Sequence, residues 1–184
     1  MDFKLILLAI GIAFGSCADL KESVDGAVDA ADNIWKGKQT LTVTFESHRP
    51  YCGGAAPTEE QSAGFTNAIV NQVFYIYKDE RPESITKMVR VKTDEKGMFS
   101  IDLEDGVYSI ISEDKALPID EFIKKKKIED QFYEYSDDSC FETWRNTPEF
   151  TVELSLPTEE VVTIQERCFT GSNPCMKYTG PYPP

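Results

Sequence analysis

The chain has 184 residues, and its 32 acidic residues outnumber its 19 lysines and arginines, which gives a net charge of −13. Such a surface repels phosphate backbones, and no basic stretch interleaved with aromatic residues occurs, so the composition argues against nucleic acid as a partner. The roughly 165 residues that follow Cys17 are enough for one domain with a sizeable core. No cofactor-binding motif is evident, and we expect no cofactor.

The N-terminus has the three parts of a secretory signal peptide. A cation, Lys4, precedes the apolar run LILLAIGIAF at residues 5–14, and the small residues Gly15 and Ser16 lead directly to Cys17. The apolar run is about half as long as a helix that spans a bilayer, so it does not predict a membrane helix. We therefore expect an exported protein.

The residues that end at Cys17 resemble the lipobox of bacterial lipoproteins, an apolar residue and two small residues before a cysteine. Phe14 departs from the pattern, because leucine is commoner there. The resemblance implies that residues 1–16 are a lipoprotein signal peptide, that Cys17 carries fatty acyl chains such as palmitate, and that residues 17–37 form an acidic tether. Two or three acyl chains would anchor a protein stably. The alternative is ordinary secretion with cleavage after Ala18, which would discard Cys17.

Four cysteines remain after either cleavage: Cys52, Cys140, Cys168 and Cys175. An even number of cysteines in an exported chain indicates two disulfides, and three pairings are possible. The segment FTGSNP between Cys168 and Cys175 favours a tight turn. We therefore predict a Cys168–Cys175 disulfide, which leaves Cys52 and Cys140 to close a long loop.

Alternating apolar and polar residues predict several strands. Residues 40–45 read as a half-buried strand, and residues 72–77 are apolar on both faces, as in a central strand. Residues 89–111 contain three alternating segments separated by two turn sequences, so they predict an antiparallel meander. The turns contain Gly97 and Gly106, which we expect at positive φ.

Later segments predict one helix and two more strands. Apolar residues at helical spacing after Pro118 predict a helix or broken helix within residues 117–135. Alternation predicts strands at 152–156 and 161–167. About seven strands with one helical insertion predict a mainly β fold, an antiparallel transthyretin-like or immunoglobulin-like sandwich. The predicted boundaries are a β-sandwich domain at 38–176 with an insertion at about 117–146, and a loose C-terminal tail at 177–184.

The segment TDEKGMFSI at residues 93–101, followed by Leu103, Gly106, Tyr108 and Ile110, resembles the signature of carboxypeptidase-regulatory-like domains. These are transthyretin-like sandwiches of secreted and surface proteins. The matching core has about twenty residues, and weaker matches extend the resemblance over residues 38–115. The resemblance implies an accessory, stabilising or binding module without catalytic residues, although a fold alone assigns no activity.

A metal site is one alternative function that the sequence offers. His48, the one histidine, precedes Cys52 by four residues, and Met176 follows Cys175, so these side chains could bind copper or zinc if the thiols were reduced. An oxidising compartment disfavours that state, and a surface histidine beside a disulfide is the simpler interpretation. No Gly-x-Ser-x-Gly motif is present, which argues against a serine hydrolase of that type.

An aromatic cluster around Cys140 is the candidate partner-binding surface: Tyr133, Tyr135, Phe141 and Trp144. Exposed, these rings would suit a sugar or a protein; buried, they would pack the insertion onto the sandwich. We expect a non-catalytic, lipid-anchored interaction or accessory module of the bacterial cell envelope, with an envelope protein or glycan as its partner. Its expected location is the outer membrane, facing the periplasm or the surface, with secretion as the alternative. Two further functions stay open, a periplasmic metal-binding protein and an accessory carbohydrate-active or peptidase enzyme.

Overall fold

The structure is a computed structural model that describes residues 37–126 and 132–181. The predicted signal peptide, Cys17 and the predicted tether up to residue 36 lie outside the described residues. Within the described ranges, no helix is both long enough and apolar enough to cross a membrane.

The described residues form ten strands, four short α-helices and a 3₁₀ helix at Ile85–Lys87. The strands are β1 (Lys38–Arg49), β2 (Phe65–Ala68), β3 (Val73–Lys78), β4 (Val89–Lys92), β5 (Met98–Glu104), β6 (Gly106–Ser112), β7 (Tyr133–Tyr135), β8 (Phe150–Leu154), β9 (Thr158–Gln165) and β10 (Met176–Tyr178). The helices are α1 (Glu59–Ser62), α2 (Glu113–Ala116), α3 (Ile119–Lys126) and α4 (Asp138–Asn146).

Strand β1 is the centre of the first sheet because it pairs along both of its edges. One edge pairs antiparallel with β5 and, further along, with β2. The other edge pairs with β9, which runs parallel to β1 from Leu41↔Thr158 to His48↔Gln165. The prediction of a wholly antiparallel sandwich is therefore wrong at β9. A parallel neighbour needs a long crossover connection, and the chain between β1 and β9 supplies it.

The second sheet has the order β4-β3-β6-β8 and is antiparallel throughout. Strand β3 pairs with β4 on one edge and with β6 on the other. This confirms the central strand that the apolar segment at residues 72–77 predicts.

The two sheets share one hydrophobic core, so the fold is mainly β and sandwich-like. Leu41, Val43 and Phe45 of β1 are all 0% exposed, which confirms the alternation predicted for this strand. The Phe45 ring stacks on Phe74 of the second sheet with 4.0 Å between ring centroids. The other buried members of the core are Ile76, Phe99, Leu103, Tyr108, Ile110, Val152, Leu154 and Val162. The structure has ten strands in its described part, more than the seven predicted.

The predicted meander is wrong, although both of its turns are present. Strands β4 and β6 belong to the second sheet and β5 belongs to the first, so each turn carries the chain from one sheet to the other. Asp94 Oδ1 closes the first turn by accepting hydrogen bonds from the backbone N–H groups of Lys96 and Met98, at 2.8 and 2.9 Å. Gly97 and Gly106 have φ values of 78° and 153°, which confirms the prediction of positive φ.

The insertion between β6 and β8 contains α2, α3, β7 and α4, so it begins a few residues before the predicted position at 117. It forms a second hydrophobic core together with the C-terminal segment. Strand β10 pairs antiparallel with β7, and Thr179 N–H donates to Phe132 O at 2.8 Å. The prediction of a loose tail from residue 177 is therefore wrong for residues 177–179. The buried members of the second core are Phe122, Phe141, Trp144, Cys175 and Met176.

All four cysteines of the described part are bonded, as predicted, but the predicted pairing is wrong. Cys52 is bonded to Cys168, and Cys140 is bonded to Cys175. The tight turn between Cys168 and Cys175 exists, with an antiparallel bridge between Arg167 and Gly171. The turn places the two sulfurs in different surroundings: Cys168 joins the loop after β1, and Cys175 lies in the second core.

Candidate binding surface

The structure does not support the His48–Cys52 metal site. The Cys52 sulfur is bonded to Cys168 and cannot act as a thiolate ligand. His48 Nδ1 is instead 3.0 Å from the hydroxyl oxygen of Thr66 on the neighbouring strand β2. Cys175, beside Met176, is also bonded in a disulfide and has no free thiol. Among the described residues, no group of three or more histidine, cysteine or acidic side chains could hold a metal ion.

The predicted aromatic cluster divides into buried and exposed members. Phe141 and Trp144, on α4, are 2% and 7% exposed and belong to the second core. Tyr133 is half-buried, and Tyr135 is 40% exposed. Helical spacing explains the first pair, because residues three apart lie on the same face of α4. Burial is therefore the outcome for Phe141 and Trp144, which belong to the second core and not to the core of the sandwich.

A cavity of about 220 Å³ lies between the insertion and the C-terminal segment. Phe122, Tyr133 and Trp144 contribute aromatic side chains from the insertion, and Phe169 faces it from the C-terminal segment. The other lining residues are Asp114, Thr170, Gly171, Ser172, Asn173 and Met176. Aromatic walls with a few polar groups are typical of small-ligand sites, although most such sites are larger.

Two lining side chains carry donors without an acceptor. Trp144 Nε1 and Asn173 Nδ2 are buried and have no hydrogen-bond partner among the described residues. The Asn173 amide is oriented by its oxygen, which accepts from Cys175 N–H at 2.8 Å. An unsatisfied buried donor costs about 1–3 kcal/mol. The two donors therefore leave the lining of the cavity with hydrogen-bonding capacity that a ligand oxygen could satisfy.

A buried ion pair connects α2 to the segment after α4. Lys115 Nζ is 3.0 Å from Glu149 Oε2, and the two side chains are 5% and 7% exposed. The same ammonium donates to Thr147 O at 2.9 Å, and Glu149 Oε1 accepts from the Ser112 hydroxyl at 2.8 Å. Lys115 Nζ also lies 5.7 Å from the centroid of the Trp144 ring. The network thus connects α2 to the residues that follow α4, the helix that contains Trp144.

A second concave surface lies near these helix ends and contains two arginines. It is a groove of about 520 Å³ between the segment after β3 and the C-terminal ends of α2 and α4. Arg81 and Arg145 line it, and both are half-buried. No sequence pattern predicted this groove, because the two arginines are 64 positions apart and neither belongs to a motif. The one feature of the sequence that could have drawn attention to them is that arginine is rare in this acidic chain.

Comparison with known proteins identifies no relative. No family model matches the chain, and no curated protein or solved structure is significantly similar to it. The resemblance to carboxypeptidase-regulatory-like domains therefore remains a prediction.

Proposed function

We propose that this protein is a non-catalytic interaction module of the bacterial cell envelope, anchored by a lipid on Cys17. In this proposal the β-sandwich is a scaffold, and the insertion between β6 and β8, with the C-terminal segment, presents the binding surface. The observation that carries the proposal is the aromatic cavity, because it joins ring faces to two buried donors that lack acceptors.

The two disulfides support the proposal that the protein is exported. Two disulfides indicate a location outside the cytoplasm, in the periplasm or the extracellular space. The lipobox-like sequence refines this location to a membrane surface. A lipid anchor would also give a role to the acidic residues between Cys17 and β1, which would link the anchor to the domain.

The distribution of structure along the chain supports a binding role for the insertion. The sandwich core buries Phe99, Leu103, Tyr108 and Ile110 of the segment that resembles the family signature. The insertion and the C-terminal segment form a separate second core with its own cavity. The Cys140–Cys175 disulfide joins these two segments directly. A rigid, covalently stapled surface loses little conformational entropy when it binds a partner.

The test of the anchor is fractionation of cells that express Cys17→Ser. We expect this variant to move from the membrane fraction to the soluble fraction, because the acyl chains need the Cys17 thiol. Ser16→Ala is the matched control, since alanine keeps a small residue before the cysteine, and we expect it to stay in the membrane fraction. Unchanged partitioning of Cys17→Ser would contradict the anchor.

A further inference from the structure

Two guanidinium groups meet at one backbone oxygen in the arginine groove. Arg81 Nη2 donates to Lys115 O at 2.9 Å, and Arg145 Nε donates to the same oxygen at 3.3 Å. Arg81 Nη1 also donates to the backbone oxygen of Arg145. These carbonyls lie at the C-terminal ends of α2 and α4, where helices leave such groups without partners. The shared acceptor, Lys115 O, holds the two positive charges side by side.

Capping explains only part of this arrangement. A guanidinium has five N–H donors. Arg145 uses its Nε–H, so both of its terminal nitrogens lack an acceptor among the described residues. Those nitrogens form the planar pair of donors that binds a carboxylate in a bidentate manner. Arg81 is already held by two carbonyls, so its orientation would cost little to maintain on binding.

The charges of the pair are not neutralised within the part of the chain that the structure describes. The ion pairs found there join Lys115 to Glu149, and Lys125 to Glu113 and Asp114, and none involves an arginine. Burial and the nearby charge of Arg145 lower the pKa of Arg81. Glu83 is an exposed carboxylate among the residues that line the groove, and it forms no ion pair with Arg81 or Arg145. An acidic chain thus contains an uncompensated cationic pair.

We propose that this groove binds a carboxylate carried on an apolar group, as in an acidic side chain or chain end of a protein partner. The groove also contains Ile85, Met88 and Pro118, which can contact apolar atoms next to the carboxylate. This inference deepens the proposed function and rests on it for the statement that the ligand belongs to a protein.

Phosphate fits the same groove less well. A phosphate group carries close to two negative charges at neutral pH, whereas a carboxylate carries one. The net charge of −13 therefore opposes phosphate more strongly. The apolar residues of the groove would also gain no contact from inorganic phosphate. The apolar lining therefore favours a carboxylate on an apolar group over inorganic phosphate.

The test is a titration of the full chain, with both disulfides intact, followed by NMR of the arginine Nε–H signals. The probe is propionate, a carboxylate on a short apolar group; propionamide is its uncharged control, and inorganic phosphate is the competing anion. We expect saturable shifts of the Arg81 and Arg145 signals with propionate, none with propionamide, and weaker binding of phosphate.

Two variants test whether the arginine pair is the binding site. Arg145→Gln should weaken propionate binding by roughly tenfold or more, because it removes a charged hydrogen-bond donor pair. Arg49→Gln, which changes an exposed arginine outside the groove, should leave the affinity unchanged. The absence of a saturable propionate shift, tighter binding of phosphate, or equal affinity in Arg145→Gln would overturn the inference. None of these results alters the partitioning of Cys17→Ser, so the anchor is judged separately.

Discussion

The buried ion pair between Lys115 and Glu149 allows a quantitative prediction. Lys115→Met keeps the length of the side chain but leaves the Glu149 carboxylate buried, with the Ser112 hydroxyl as its remaining side-chain donor among the described residues. It also removes the donor to Thr147 O. Removing one partner of such a pair costs about 3–5 kcal/mol. With a urea m-value near 2 kcal/mol/M, the unfolding midpoint should fall by about 2 M.

Two further variants decide whether this reasoning is correct. Glu149→Leu combined with Lys115→Met should recover most of the lost free energy of unfolding, because no charge then remains buried. Lys125→Met breaks the exposed ion pairs with Glu113 and Asp114, and it should cost less than about 1 kcal/mol. The assay is urea unfolding followed by circular dichroism. If Lys115→Met costs no more than Lys125→Met, the account of this network is wrong.

Three other predictions follow from turns and disulfides. Gly97→Ala should lower the free energy of unfolding by more than Gly171→Ala in the same urea assay, because both positions have positive φ but only the Cβ at Gly97 would meet a backbone oxygen, at 2.7 Å. Backbone hydrogen bonds hold the pKa of Asp94 below its usual value, so its contribution to stability is present above the unfolded-state pKa and is lost as the pH falls through the folded-state pKa. Asp94→Asn should therefore flatten the loss of stability below about pH 4. Peptide mapping without reduction should recover no peptide pair linked by Cys168 and Cys175.

Local sequence patterns were sufficient to predict strands in which buried and exposed residues alternate. Leu41, Val43 and Phe45 have a period of two because one face of β1 lies against the core. The positive φ of Gly97 and Gly106 was also predictable, because turn chemistry is local. These features depend only on a few neighbouring residues.

Pairing between distant segments was not predictable in this way. The same turn residues around Gly97 can join two strands of one hairpin or two strands of different sheets. The local sequence therefore could not show that β4 and β5 belong to different sheets. Proximity along the chain likewise suggested the pair Cys168 and Cys175, whereas burial in two different regions decided the bonds. The arginine groove depends on three segments brought together by the fold.

Site-specific photo-cross-linking in intact cells tests the central claim, a membrane-anchored module with a partner surface on the insertion. The cross-linker is placed at Asn146, an exposed residue of the arginine groove, or at Val161, a 65% exposed control on β9. The account predicts a discrete adduct from the cross-linker at Asn146 and none from the cross-linker at Val161. It also predicts that the Asn146 adduct is lost when Cys17→Ser or Arg145→Gln is introduced. Equal adducts from both positions, or an Asn146 adduct that persists in either variant, would contradict it.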